Sequence, residues 1–359
     1  MKVLNILRSP WTRGGIVLAF LSGVGALLWF HGPDWASFKD AFTVVEWEWV
    51  AVAVGFNLLS VIARAFAWQT VINAAMPPPR PGFRLVFSAF SVGLLANAVL
   101  PGRVGELARV AVLNRKIEKK QPGLWSTLVG TVFVHRVFDL VPVLFITIWV
   151  LFAAKIPTWA YTSLWILLAV GVALFLFAFA SARHHGQTRL DGMGSVRRIV
   201  TMARYGLGVM RKPIPALVAI LGQCFGWTCQ IFAVWTAMKA FDIDVGLPAA
   251  GLVLILMNVA TMIPLWPGNV GLVQVAVATP LSVSYGIEYG HGLAFGFGLQ
   301  AIEASVGIGI GLLFLAHEGI SFARLREMPG AVAADVPETG EPAPEVEHEH
   351  ETERARVSG

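Results

Sequence analysis

Charged side chains are scarce in this sequence. They make up 14% of 359 residues, against about 25% in an ordinary soluble domain. With 56% hydrophobic residues and a mean hydropathy of +0.68, the chain carries more apolar surface than one soluble core hides. A bilayer is the solvent that fits it. Cysteine is scarcer still, with only Cys224 and Cys229. Five positions apart in one apolar segment, they suit neither a disulfide nor a zinc site and read as packing residues. A Walker loop, a dinucleotide fingerprint, H-E-x-x-H and G-x-S-x-G are all missing. The expectation is therefore a non-enzyme without cofactor or metal, and without nucleic acid as a partner.

What is abundant is apolar sequence in long runs. Six runs are long enough to cross a bilayer, which takes roughly 20 apolar residues: about 14–31, 49–73, 124–153, 159–181, 213–239 and 291–317. The first follows a basic start but has no small-residue cleavage site, so it reads as a retained helix rather than a signal peptide. Lysine and arginine stay on the cytoplasmic side. Lys2, Arg8 and Arg13 put the N-terminus inside. Asp34, Asp40, Glu46 and Glu48 suit the outside, and Arg80 and Arg84 return the chain inside. The loop 182–212, with Arg197, Arg198, Arg204 and Arg211, reads as a cytoplasmic basic segment on the anionic inner leaflet. From about 328 to 359 the chain turns acidic and rich in Pro and Glu, the composition of a disordered cytoplasmic tail. Its "HEHE" reads as solvated. The membrane domain is then 1–320.

Two further apolar stretches, about 83–113 and 248–286, are each interrupted by Pro-Gly. If 83–100 crossed, then Arg109, Arg115, Lys116, Lys119 and Lys120 would fall outside, against the charge rule. A re-entrant hairpin turning at Pro101-Gly102 keeps them inside. Such backbone is tolerated at depth only inside protein or along a wet cavity. The same feature recurs: "LPGRVGELARV" from Leu100 aligns with "WPGNVGLVQVA" from Trp266 at an offset of 166. Pro101, Gly102 and Gly105 thus match Pro267, Gly268 and Gly271, while at an offset of 164 Arg136 and Asp139 fall opposite Gln300 and Glu303. Three spans separate the two stretches, so the second hairpin should enter from the other face. The fold class expected is an all-α polytopic membrane protein. It has about six spans and two re-entrant hairpins, related by an inverted-topology repeat with halves of about 81–153 and 248–317. Many transporters share this organisation.

The charges sit at these breaks. Arg103, Glu106 and Arg109 follow at i, i+3 and i+6, on one face if the return limb is helical. Arginine's fork matches phosphate, and a helix N-terminus favours an anion. A structural ion pair pinning the hairpin is the competing reading. Glu106 is free to pair with either arginine. In "VFVHRVFDLV" His135, Arg136 and Asp139 lie inside an apolar helix, where an arginine costs about 2.5–3.5 kcal/mol on insertion scales. Asp139 offsets much of that, as clamp or as substrate contact. Arg64, with Asn57 and Ser60 on its face, lies midway along the second span, and Glu303, beside Gln300, midway along the last. With Asn97 before the first break and Asn269 and Gln274 after the second, these complete the candidate substrate-contacting set.

These residues carry a resemblance. Asn97…Pro101-Gly102-Arg103-Val104-Gly105-Glu106…Arg109, then Arg136-x-x-Asp139, then Pro264…Pro267-Gly268-x-x-Gly271 resemble the transmembrane flippase domain of lysylphosphatidylglycerol synthase, the multiple peptide resistance factor. Stand-alone membrane proteins are grouped with it, and the resemblance covers roughly 10–320. It implies a lipid-translocating domain whose two re-entrant hairpins meet in the middle. Two departures alter the central charge. The family commonly has Glu where this chain has His135, and often Arg where it has Gln300. No aminoacyl-transferase domain is expected after the membrane body. Related stand-alone members are associated with other lipids, including hopanoids.

The function expected is a bacterial inner-membrane lipid flippase, with both termini cytoplasmic, handling an anionic or phosphate-bearing headgroup. Self-association is left open. The alternative is a non-transporting accessory subunit that docks a lipid-modifying or envelope-biogenesis enzyme through the basic loop and tail.

Overall fold

The computed structural model describes residues 34–100, 104–117, 124–183, 208–262 and 267–317. Outside them lie the expected first span 14–31, the tip residues Pro101, Gly102 and Arg103, and Pro264. So do most of the basic loop 182–212 and the whole acidic tail. The described residues form ten α-helices: α1 Trp35–Asp40, α2 Trp47–Ala75, α3 Phe83–Val99, α4 Gly105–Lys116, α5 Leu124–Ala153, α6 Thr158–Arg183, α7 Pro213–Ala240, α8 Leu247–Met262, α9 Leu272–Tyr285 and α10 Tyr289–His317. Two single 3₁₀ turns, Gly208–Arg211 and Pro267–Asn269, complete them. This is an all-α polytopic membrane protein. Five helices (α2, α5, α6, α7 and α10) are long and apolar enough to cross a bilayer. At 1.5 Å per residue each exceeds the hydrocarbon core of about 30 Å. At 17, 12, 16 and 14 residues, α3, α4, α8 and α9 are too short to do so.

Local chemistry sets the helix ends. After α2 come Pro77, Pro78 and Pro79, which cannot continue a helix, and Met76 is already extended. Leu100 precedes Pro101 and is extended at φ −96°, ψ 143°, because the proline ring disfavours the helical region for the residue before it. That stops α3 after 17 residues, too few to cross the hydrocarbon core. Asn97, near its end, accepts a hydrogen bond through Oδ1 from the Gly105 N–H at 2.8 Å, satisfying an otherwise orphaned donor at the start of α4. The second break uses positive φ instead: Gly268 at 70°, Asn269 at 46° and Gly271 at 94°.

Small residues bring the helices close. Gly222 and Gly226, four apart on α7, lie against Ala67 and Arg64 of α2, and a Cβ on Gly226 would fall 2.7 Å from Arg64 Cγ. With Phe56 stacked on Phe232, these contacts run α2 and α7 antiparallel. Gly93 on α3 abuts Gly105 and Arg109 on α4, and Gly311 on α10 abuts Leu95 and Ser91 on α3.

The two ends of the bundle differ in charge. At one end the Glu46 N–H donates to the Ala240 carbonyl (2.9 Å), and the Lys155 N–H donates to Tyr285 Oη (3.0 Å). That end carries Asp34, Asp40, Glu46, Glu48, Asp242, Asp244 and Glu288. At the other end Lys212 Nζ donates to the Ala74 carbonyl (2.7 Å), and Arg84 meets His317 at 3.3 Å. Arg80, Arg115, Lys116 and Arg211 join them there, with no carboxylate among the described residues.

Candidate functional site

Three helices deliver one chain of charges, and a fourth, α7, braces it. Arg109 of α4 donates to Glu106 Oε2 at 2.6 Å. Arg136 of α5 donates to Glu106 Oε1 through Nη2, and through Nη1 to Asp139 Oδ2 at 3.0 Å. Asp139 Oδ2 also meets Arg64 Nη2 of α2 at 3.4 Å. Trp227 of α7 donates from Nε1 to the other oxygen of Asp139 at 3.1 Å, and its ring lies 5.5 Å beneath the Arg64 guanidinium. Cation and carboxylate alternate along Arg109, Glu106, Arg136, Asp139 and Arg64. Buried charges are tolerated only when paired. Among the described residues, this group sets three arginines against two carboxylates. Glu106 thus pairs with Arg109 and, across the helix interface, with Arg136; Arg103 lies outside the described residues.

Burial grades this chain. Arg109 is sealed, its side chain 4% exposed and its guanidinium 4.6 Å from the Trp68 ring and 5.4 Å from that of Phe90. Trp68 is itself pinned by donating to Thr131 Oγ1 at 3.2 Å. Cation–π contact in a desolvated site is worth about 2 kcal/mol or more, so Arg109 serves as an anchor. Arg136, at 47%, is the most open member. His135 is buried and stands apart from the ion pairs. Its Nε2 lies 3.1 Å from the Arg64 carbonyl oxygen and 3.1 Å from Gln223 Nε2, tying α5 to α2 and α7.

The second break is held by amides. Gln274 donates to Gln300 Oε1 at 2.6 Å and accepts from the Gly271 N–H at 2.5 Å. Gln300 donates to the Gly268 carbonyl. Asn269 donates to the Ala260 carbonyl at 2.9 Å. One turn along α10, Glu303 accepts from Gln230 Nε2 of α7 at 2.8 Å. Asn97 is spent on capping α4. The first break is therefore tied to its long helix by ions, the second by neutral groups.

On the face of α2 turned away from Arg64, an open apolar groove of about 610 Å³ runs between α2, α7 and the start of α3. Leu59, Ile62, Phe66, Phe83 and Phe225 line it.

The chain matches, over residues 15–311, the family described as the lysylphosphatidylglycerol synthase TM region. It belongs to that family. Among curated proteins it is similar to a UPF0104 membrane protein of Methanocaldococcus jannaschii, 24% identical over 209 residues, 56% of this chain and 84% of the relative. It is also similar to a glycerol-3-phosphate acyltransferase of Erythrobacter litoralis, 34% identical over 113 residues, 31% of this chain and about half (52%) of that protein. The matched part thus corresponds to the transmembrane region that defines this family.

Within this family member, the sequence reading missed the contribution of α7. Gln223, Trp227 and Gln230 follow at i, i+4 and i+7 and so share one face. That face meets His135, Asp139 and Glu303 in turn. The available signal was two glutamines seven apart in an otherwise apolar span.

Proposed function

We propose that this chain is a lipid translocase of the bacterial inner membrane, moving a phospholipid or another lipid with a polar, phosphate-bearing headgroup between leaflets. The observation that carries the reading is the five-membered charge chain inside an apolar membrane body, three of whose five described members are arginines, with Arg136 the most open of them. Intramembrane ionisable groups of this kind mark substrate pathways. A phosphate would bind at Arg136 and Arg64, while Arg109 holds Glu106 in register. Acyl chains would stay in lipid or along apolar grooves such as the one beside Phe66.

Two short-helix pairs, α3–α4 and α8–α9, act in this reading as re-entrant hairpins from opposite faces. Support comes from their lengths, from the long helix that follows each (α5, α10), and from α3 starting at the basic end while α9 finishes at the acidic one. They would form the inverted repeat, and alternate opening of the two would expose the site to each leaflet in turn. The basic end faces the cytoplasm by the charge rule, and the loop 182–212 would rest on its anionic leaflet. The headgroup test is reconstitution into phosphatidylethanolamine–phosphatidylglycerol vesicles, following fluorescent phosphatidylglycerol beside a fluorescent sterol without phosphate. Accelerated movement of the phospholipid alone is expected. Equal movement of both, or of neither, would overturn the assignment.

A further inference from the structure

Glu303 stands out among the carboxylates of the membrane body. Asp139 and Glu106 each face two arginines. Glu303, the fifteenth of 29 residues in α10 and so near mid-membrane, has no ion pair among the described residues and one hydrogen bond, from Gln230. Arg64 lies within electrostatic range of it but is engaged with Asp139. Leaving a carboxylate uncompensated at that depth is costly.

We propose that Glu303 is a proton-binding site, positioned between the two hairpin centres, that couples lipid movement to the proton gradient. The inference rests on the translocase reading above. Its partner suits a proton. An amide presents N–H to a carboxylate and, turned over, C=O to a carboxylic acid, so Gln230 satisfies Glu303 in either state. A metal cation would instead need several converging oxygens, and the neighbouring group aims a nitrogen.

The location links both halves. Gln300, three residues before Glu303, holds Gly268 and Gln274 at the second break. Gln230, three residues after Trp227, shares the α7 face that holds Asp139. The other groups on helices packed against α10 leave Glu303 alone. From α9 the neutral Gln274 engages Gln300, and Tyr285 lies at the acidic end beside Lys155. From α7 Cys229 is a buried thiol, and Lys239 pairs with Asp244 at the acidic end. From α1, Ser37 and Phe38 lie against Gly290, at the far end of α10 from His317, where Arg84 of α3 lies.

Two measurements test this on the full chain in the vesicles above. Infrared difference spectra over a pH titration should contain a protonated-carboxyl C=O stretch that disappears in Glu303→Gln and returns, shifted, in Glu303→Asp. Its presence in Glu303→Gln, or its absence from wild type, overturns the proposal. In transport, one-proton coupling supports about a tenfold lipid ratio per pH unit. The wild type should respond to an imposed pH gradient, and any residual movement by Glu303→Gln should ignore it. A gradient response that survives in Glu303→Gln, or a wild type driven by sodium at fixed pH, overturns it too. If wild type moves no lipid at all, the translocase reading fails, while the infrared band still decides the proton site.

Discussion

Arg64 and Asp139 lie 75 positions apart in the chain, on α2 and α5, and their side chains meet at 3.4 Å. Trp227 from α7 touches both, with a hydrogen bond to Asp139 and its ring beneath Arg64. Three spanning helices are thus registered against one another at a single point. The close approach of α7 to α2 at Gly226 makes this possible.

Removing Asp139 should unsettle that point. Asp139→Ala leaves Arg64 and Arg136 without their shared carboxylate, and breaking a buried pair costs roughly 3–5 kcal/mol. A marked drop in the thermal unfolding midpoint in detergent is expected. Unfolding within a degree of wild type would contradict the bonding described.

Arg109 and Arg136 should separate anchor from contact. Arg136→Ala, at a half-exposed position, should change stability by at most about 1 kcal/mol while lowering lipid movement at least tenfold. Arg109→Ala empties a buried site under Trp68 and should destabilise by roughly 3 kcal/mol, as other losses of one buried partner do. Paired unfolding and transport measurements check both, and a reversed pattern would exchange the two roles.

The seam between α2 and α7 should tolerate no bulk at Gly226. Gly226→Ala drives a Cβ to 2.7 Å from Arg64 Cγ, and overpacking of this kind costs about 1–3 kcal/mol. Gly55→Ala, with nothing within 4 Å, is the control. It should be neutral or stabilising by up to about 1 kcal/mol. Thermal unfolding of the pair is the readout.

Gln300→Ala should loosen the second break alone. It removes the ties to Gly268 and Gln274, so amide exchange across 267–274 should speed up by about tenfold or more, as local opening becomes easier. Exchange across 104–109, held by ions, should stay as it was. Uniform acceleration would mean that the two breaks are not separately latched.

Much of this architecture is legible in the sequence, because a bilayer imposes length and apolarity on each span. The run 124–153 coincides with α5, and the stop before Pro101 follows from proline stereochemistry alone. Arg136 and Asp139 declare themselves by their i, i+3 spacing on one helix. The contacts between helices are another matter. Nothing in a linear sequence gives the rotation of α2 against α5 or of α4 against α5, so the Arg64–Asp139 and Glu106–Arg136 pairs had no signature. Trp227 and Gln223 carry no mark in an apolar span until α7 is turned toward α5. Asn97 and Gln274 drew notice as polar residues near the breaks. The structure gives both of them backbone N–H groups to hold, a local role that only turn geometry reveals.

The central claim is that the charge chain handles a lipid headgroup, and the most direct test is a dithionite-quenching assay. It uses phosphatidylethanolamine–phosphatidylglycerol vesicles carrying fluorescent phosphatidylglycerol, with wild type and Arg136→Ala reconstituted at equal, verified amounts. The account predicts that wild type exposes the inner-leaflet label to quencher, while Arg136→Ala, equally folded by its unfolding midpoint, falls to at most a tenth of that rate. Equal rates for the two proteins, or a wild type no faster than empty vesicles, would contradict it.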